Sequence, residues 1–290
     1  MKILAIVSQK GGVGKTSLAV NLSAAFSIVE YHKNKKNPGK ILLIDMDKQH
    51  HSNKILSGGA WGDDSEERKT VDNTLGQALT GETTIPLNFI AQESRLPIYL
   101  KNNKIHYIPS FYKGMNQAEV FLSGVGEGPF RLSDIIRGLE QHYKYIVIDT
   151  PPDLSIMTEN ALVAATHVVI PSDLNVLGLD ALMVTMARIE EIQKHPRMNP
   201  DLKFVGIALT KCSLHLKEEQ DWFNRLKDQH GDKILPPIGQ RIDVQKAQAD
   251  ALDIFSYKPP RNASEKVASS NPASIEYGTT ALAIKKMIDQ

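Results

Sequence analysis

Near-continuous apolar runs alternate along the chain with longer stretches in which apolar positions recur every three to four residues. Ile3–Val7, Ile41–Ile44, Ile105–Ile108, Tyr145–Ile148, His167–Ile170 and Phe204–Leu209 are continuous rather than alternating, which predicts strands buried on both faces of a mostly parallel sheet. Thr16–Val29, Leu132–Tyr143, Ile156–Ala165, Leu179–Lys194 and Lys217–Gln229 carry the helical period, and Val71–Leu79 predicts a further helix between the second and third strands. Strand-helix alternation of this kind implies an α/β fold with a doubly wound, mostly parallel sheet flanked by helices. Ligands of such a sheet bind at the C-terminal ends of the strands.

No internal repeat or hinge-like linker interrupts the alternation, so residues 1–290 are expected to form one domain. Three stretches read as insertions, 31–40 (basic and polar), 57–69 (glycine-rich, then charged) and 258–274 (rich in Pro, Ser and Asn), and a solvated loop is the expectation for each. Lys and Arg number 34 against 33 Asp and Glu, so any contact with a polyanion has to come from a local patch. One cysteine, Cys212, excludes an internal disulfide framework. The apolar N-terminal run is too short for a signal peptide, and no run approaches the ~18–20 apolar residues a membrane span needs, which implies a cytoplasmic protein.

Residues 8–17, SQKGGVGKTS, follow the first strand and open the first helix. The pattern is that of a phosphate-binding loop, G-x-x-x-x-G-K-S/T, with Gln9 in place of the first glycine and a second lysine, Lys10, beside it. Backbone N–H groups of Gly11, Gly12, Val13, Gly14, Lys15, Thr16 and Ser17 can form a nest for phosphate oxygens at a helix N-terminus. Lys15 then reaches the β- and γ-phosphates and the Thr16 hydroxyl ligates Mg²⁺. Asp149, at the end of an apolar strand, occupies the place from which an acid holds Mg²⁺ through a water, and Asp45 and Asp47 end another strand at i, i+2 spacing, able to lean toward the same γ-phosphate. His50 and His51 are adjacent, so their side chains diverge, and solvated histidines are expected.

The segments KGGVGKT (10–16), ILLIDMDKQ (41–49) and YIVIDTPPD (145–153) resemble the deviant Walker A, A′ and B motifs of the ParA/MinD ATPases. TLGQALTGE (74–82), IHYIPS with QAE (105–119) and ENALVAATHVVIP (159–171) continue the resemblance to about residue 210. It implies an ATPase using ATP and Mg²⁺ that forms an ATP-dependent homodimer, with Lys10 reaching the partner's nucleotide, Asp47 positioning the attacking water, Asp45 supporting the loop and metal shell, and Thr150-Pro151-Pro152 sensing the γ-phosphate. The family's DxDPQ reads here Asp45-Met46-Asp47-Lys48-Gln49. Thr210-Lys211 and the Pro236-Pro237 turn are expected to close over the base.

A lone cysteine cannot build the intersubunit cluster of the iron-sulfur branches. The C-terminal segment 273–290 has few cations and reads as a helix packed on its own domain, not as a membrane anchor. The branch left is the ParA or Soj type, which implies non-specific duplex DNA binding and a ParB-like activator in plasmid or chromosome partition. Candidate phosphate contacts are Lys217, Arg225, Arg241, Lys246, Lys258, Arg261 and Lys266. The alternatives are a MinD-like or protein-cargo positioning ATPase, and a P-loop enzyme phosphorylating a metabolite.

Overall fold

The computed structural model describes residues 1–59, 73–96, 105–257 and 271–290. Seven strands form one sheet in the order β3-β4-β2-β5-β1-β6-β7. They are β1 (Lys2–Ile6), β2 (Ile41–Asp45), β3 (Gln92–Glu93), β4 (Ile105–Tyr107), β5 (Tyr145–Asp149), β6 (His167–Ser172) and β7 (Lys203–Leu209). Every pairing is parallel except that of β3 with β4. All six strands expected from the apolar runs are present; β3, two polar residues long, has no run to betray it.

The helices are α1 (Lys15–Lys33), α2 (His51–Leu56), α3 (Leu75–Thr80), α4 (Leu87–Ile90), α5 (Tyr112–Ser123), α6 (Arg131–Ile136), α7 (Ile156–Ala164), α8 (Val176–Lys194), α9 (Lys217–His230), α10 (Ile242–Ala249) and α11 (Pro272–Asp289). The helix expected over Leu132–Tyr143 ends at Ile136, because Gly138 adopts φ 85° and the chain continues as a 3₁₀ turn over Leu139–Gln141. α3 starts at a capping box, Thr74 and Gln77 bonding each other's backbone N–H, and its Val71 and Asp72 extension lies outside the described residues. Most of the segments expected as insertions at 57–69 and 258–274 lie outside them too.

Strand alternation divides the core between the two faces of the sheet. Leu42, Ile44, Ile146 and Ile148 point toward α3, α5 and α7, whereas Ile41, Leu43, Tyr145 and Val147 point toward α1 and α11. At the base of the second face the buried Glu30 carboxylate of α1 accepts from Lys144 at 2.6 Å and pairs with Lys285 of α11 at 3.1 Å. Lys285 also contacts the Tyr145 hydroxyl and pairs with Asp289 at 2.6 Å. α11 therefore packs on its own sheet, burying Ala273, Tyr277, Ala281, Ile284 and Ile288. None of the described helices is long and apolar enough to cross a membrane.

Candidate nucleotide site

The C-terminal ends of β1, β2 and β5 converge because these strands are neighbours, with Ile6 and Asp45 both in register with Asp149. A cavity of about 460 Å³ opens there, floored by Gly11, Gly12, Gly14, Lys15, Thr16 and Ser17. Gly12 and Gly14 adopt φ of 76° and 85°, a left-handed backbone that glycine enters without steric cost, and Gly14 is the residue from which α1 starts. Lys15 is buried and its Nζ donates to the Lys10 carbonyl at 3.0 Å. Burial lowers its pKa, and Asp149, Asp47 and Asp153 act against that shift.

The three strand-end acids divide into different roles. Asp47 lines the cavity. Asp45 does not: its Oδ2 accepts from the Ser52 hydroxyl at 2.6 Å and from the backbone N–H groups of Ser52 and Asn53, and its Oδ1 accepts from the Asp47 N–H at 3.0 Å. The expectation that both acids lean toward one phosphate is thus corrected, because the N-terminus of α2 captures Asp45 and leaves it holding the turn that presents Asp47. Burial raises the Asp45 pKa to about 6. Asp149 is fully buried with neither carboxylate oxygen meeting hydrogen-bond geometry, although the Thr16 hydroxyl faces it and offsets a little of its burial. Burial first, and then the neighbouring Asp45, push its pKa well above the usual carboxylate range.

Lys48 turns away from the cavity to pair with Glu119 of α5 at 3.3 Å. The two histidines diverge as adjacent residues must, but only one is solvated at the surface of the turn. His50 is buried with its ring edge-on to Phe111, and His51 lines the cavity beside Asp47 and Gln49.

Lys10 lies off the cavity wall. Its Nζ donates to both Asp173 oxygens and to Asn175 Oδ1, each at 2.8 Å, and Asn175 also caps α8 through the Gly178 N–H. Gln9, where the usual loop has glycine, donates its N–H to the buried Thr185 hydroxyl of α8 at 3.2 Å. Both departures from the ordinary phosphate loop therefore face α8.

On the far side the cavity is closed by Thr210, Lys211, Ile238–Arg241 and the helix residues Val244, Gln245, Gln248 and Tyr277. Pro237 does not line it; the next residues do. Gln248 bonds the Ser17 hydroxyl at 2.8 Å, joining α10 to the phosphate loop. Arg241 lines the cavity as well and pairs with Glu276 of α11 at 2.6 Å. The C-terminal quarter of the chain left these contacts unreadable in the sequence. Lys217, Arg225 and Lys246 are exposed, Arg225 against the Trp222 ring at 5.0 Å. Lys258, Arg261 and Lys266 lie outside the described residues.

The residues present fit a nucleotide-bound Mg²⁺. Asp149 offers two acceptors with no donor of their own, which is costly unless a cation or ordered water satisfies them, and Thr16 beside it offers a hydroxyl ligand. Fold and loop define a P-loop nucleotide-binding protein. A family model described as an AAA domain matches residues 1–204. The chromosome partitioning protein ParA of Myxococcus xanthus is 34% identical over 209 residues, 72% of this chain and 64% of that protein. The sporulation initiation inhibitor protein Soj of Bacillus subtilis is 28% identical, covering 91% of this chain and 94% of that one. A crystal structure of a putative plasmid partition protein from Borrelia burgdorferi bound to AMPPNP superposes with a TM-score of 0.73 over 99% of each chain at 22% identity. The chain belongs to the ParA/Soj family and is a P-loop ATPase of the ParA/MinD class.

Proposed function

We propose that this protein binds ATP and Mg²⁺, dimerises on doing so, binds duplex DNA without sequence preference as a dimer, and hydrolyses ATP slowly until a ParB-like partner stimulates it, driving plasmid or chromosome partition. The observation that carries this reading is the second lysine: Lys15 already serves the phosphate nest, while Lys10 stands outside the cavity on the α8 side, held by side chains of its own chain. Exchanging Asp173 and Asn175 for the phosphates of a partner's nucleotide gives Lys10 the role of an arginine finger, worth ~10³ to 10⁵ in rate in phosphoryl transfer. The relatives named for partition support the cellular role, and residues 1–290 are taken as one ATPase unit localised on the nucleoid.

The chain's own residues supply the rest of the chemistry. The nest and Lys15 orient the γ-phosphate, Asp47 holds a water in line with it, and Thr16 with Asp149 would hold Mg²⁺. Held there, the cation would neutralise phosphate charge. The water oxygen forms a bond to phosphorus as the bond to the bridging oxygen breaks, ADP leaves, and the water's proton passes to Asp47 or to phosphate. Exposed Lys217, Arg225 and Lys246 are the phosphate contacts proposed for DNA, and Arg261 and Lys266 join them from the sequence. Packing of α11 on its own sheet disfavours the membrane-bound alternative.

ATPase rate per molecule is expected to rise with protein concentration and to collapse in Lys10→Ala. ATP-loaded protein is expected to retard random duplex DNA at low salt and to release it steeply as salt rises. A rate independent of concentration with Lys10→Ala fully active, or no ATP-dependent retardation at any salt, overturns the reading.

A further inference from the structure

Lys211 is one of three described non-glycine residues with positive φ, at 56°. Nothing about the end of β7 forces that backbone, so its persistence calls for a local cause. Flanking bonds fix it: the Thr210 N–H donates to Ser172 at 2.8 Å and the Cys212 N–H to Ile238 at 3.0 Å. With both neighbours pinned, the left-handed turn at residue 211 throws the lysine side chain across the cavity mouth, where its Nζ donates to the Gly12 carbonyl. The adjacent Thr210 hydroxyl donates to the Val13 carbonyl at 2.6 Å. Two successive carbonyls of the phosphate loop are therefore held by two successive side chains just beyond the end of β7.

A trans peptide points its N–H opposite to its C=O. Fixing the carbonyls of Gly12 and Val13 fixes the N–H groups of Val13 and Gly14, the donors on which a phosphate nest depends. Gly12 sits at φ 76° with open space where a Cβ would stand, so no side chain packed at that position helps to hold this peptide. We propose that Lys211 is a positioning residue for the nucleotide: its ammonium locks the Gly12–Val13 peptide with its N–H toward the phosphates, and its methylenes form the wall between loop and base. It is a third lysine at the site that acts on the protein's backbone and not on phosphate. The proposal rests on the ATP-binding reading above.

The test is titration of the full chain with a fluorescent ADP analogue, with competition by ADP and by adenosine, beside melting of the nucleotide-free protein. Lys211→Met keeps the wall and removes the donor, so ADP affinity is expected to fall about tenfold, the loss of one bond from a charged donor. Adenosine affinity and the melting temperature stay within error, and Lys211→Arg, able to reach the same carbonyl, binds ADP within about threefold of wild type. Unchanged ADP affinity in Lys211→Met, equal losses for ADP and adenosine, a melting temperature that falls with the affinity, or an arginine variant as weak as the methionine one each overturn the proposal. Failure of the wild-type chain to bind the analogue overturns instead the ATP-binding reading beneath it.

Discussion

Replacing Asp149 by Asn separates what the carboxylate costs the fold from what it gives the site. Both its oxygens are buried with no partner at hydrogen-bond geometry, the Thr16 hydroxyl alone facing them, and Asp45 is its register partner on the neighbouring strand. An orphaned buried polar group costs ~1–3 kcal/mol, more for a charged one. Asparagine keeps the shape and a polar cost but removes the charge and its repulsion with Asp45, so the variant is expected to gain ~1–3 kcal/mol. At ~2–4 °C per kcal/mol for a chain of roughly this size, melting should rise by about 2–12 °C in metal-free buffer. The sign with pH follows from the raised pKa. The folded wild type holds this proton more tightly than the unfolded chain, so its stability is greatest below the unfolded carboxylate value of ~3.9 and falls as pH rises toward the folded value. The advantage of Asp149→Asn should therefore be larger at pH 8 than at pH 5. Calorimetry with a chelator present measures it, and a nucleotide titration with and without Mg²⁺ should show the ion's contribution lost. A variant that melts at or below wild type at pH 8 refutes the reasoning, because Asp149 would then be satisfied within the protein.

Lys285→Met strips a buried cation from Glu30 and Asp289 and should cost about 3–5 kcal/mol by chemical denaturation while leaving nucleotide affinity unchanged, since the cluster lies at the opposite end of the sheet. A Cβ added at Gly76 would stand 2.6 Å from the Gly114 backbone of α5, so Gly76→Ala should destabilise by ~1–3 kcal/mol, read in the same assay. Asp173→Asn loosens the hold on Lys10; the weight-average mass with a slowly hydrolysed ATP analogue should shift toward dimer at roughly fivefold lower concentration, about 1 kcal/mol of released competition. An unchanged or weakened dimer would remove the competition from the argument.

The strands were legible because a strand buried on both faces has to be apolar throughout, and the phosphate loop because glycine, lysine and threonine each have a separate physical task at fixed spacing. Asp45 was not legible in the same way. An acid at a strand end reads alike whether a helix N-terminus or a metal takes it, and the donors that claim it, Ser52 and Asn53, belong to a helix too short to leave a period. The base side was harder still. Gln248, Arg241 and Tyr277 reach the cavity from segments whose polar surfaces resemble solvated ones until the chain folds back on α1. Lys10 and Lys15 could be told apart in role, but the partner of Lys10 lies 163 residues away and no local pattern announces it.

Cys212 is the chain's one cysteine and is buried, with its thiol pushed up to about 12 chiefly by burial, so it is nearly inert toward alkylating reagents at neutral pH. The turn that follows α1 carries exposed Lys35 and Lys36 and precedes β2, which places it at the end of the sheet remote from the cavity. A cysteine introduced at Lys36 would therefore take a single fluorophore, activated by its basic neighbours, without touching a residue of the site. The molecule as it stands is ready for distance measurements between two labelled copies, with no background mutation required.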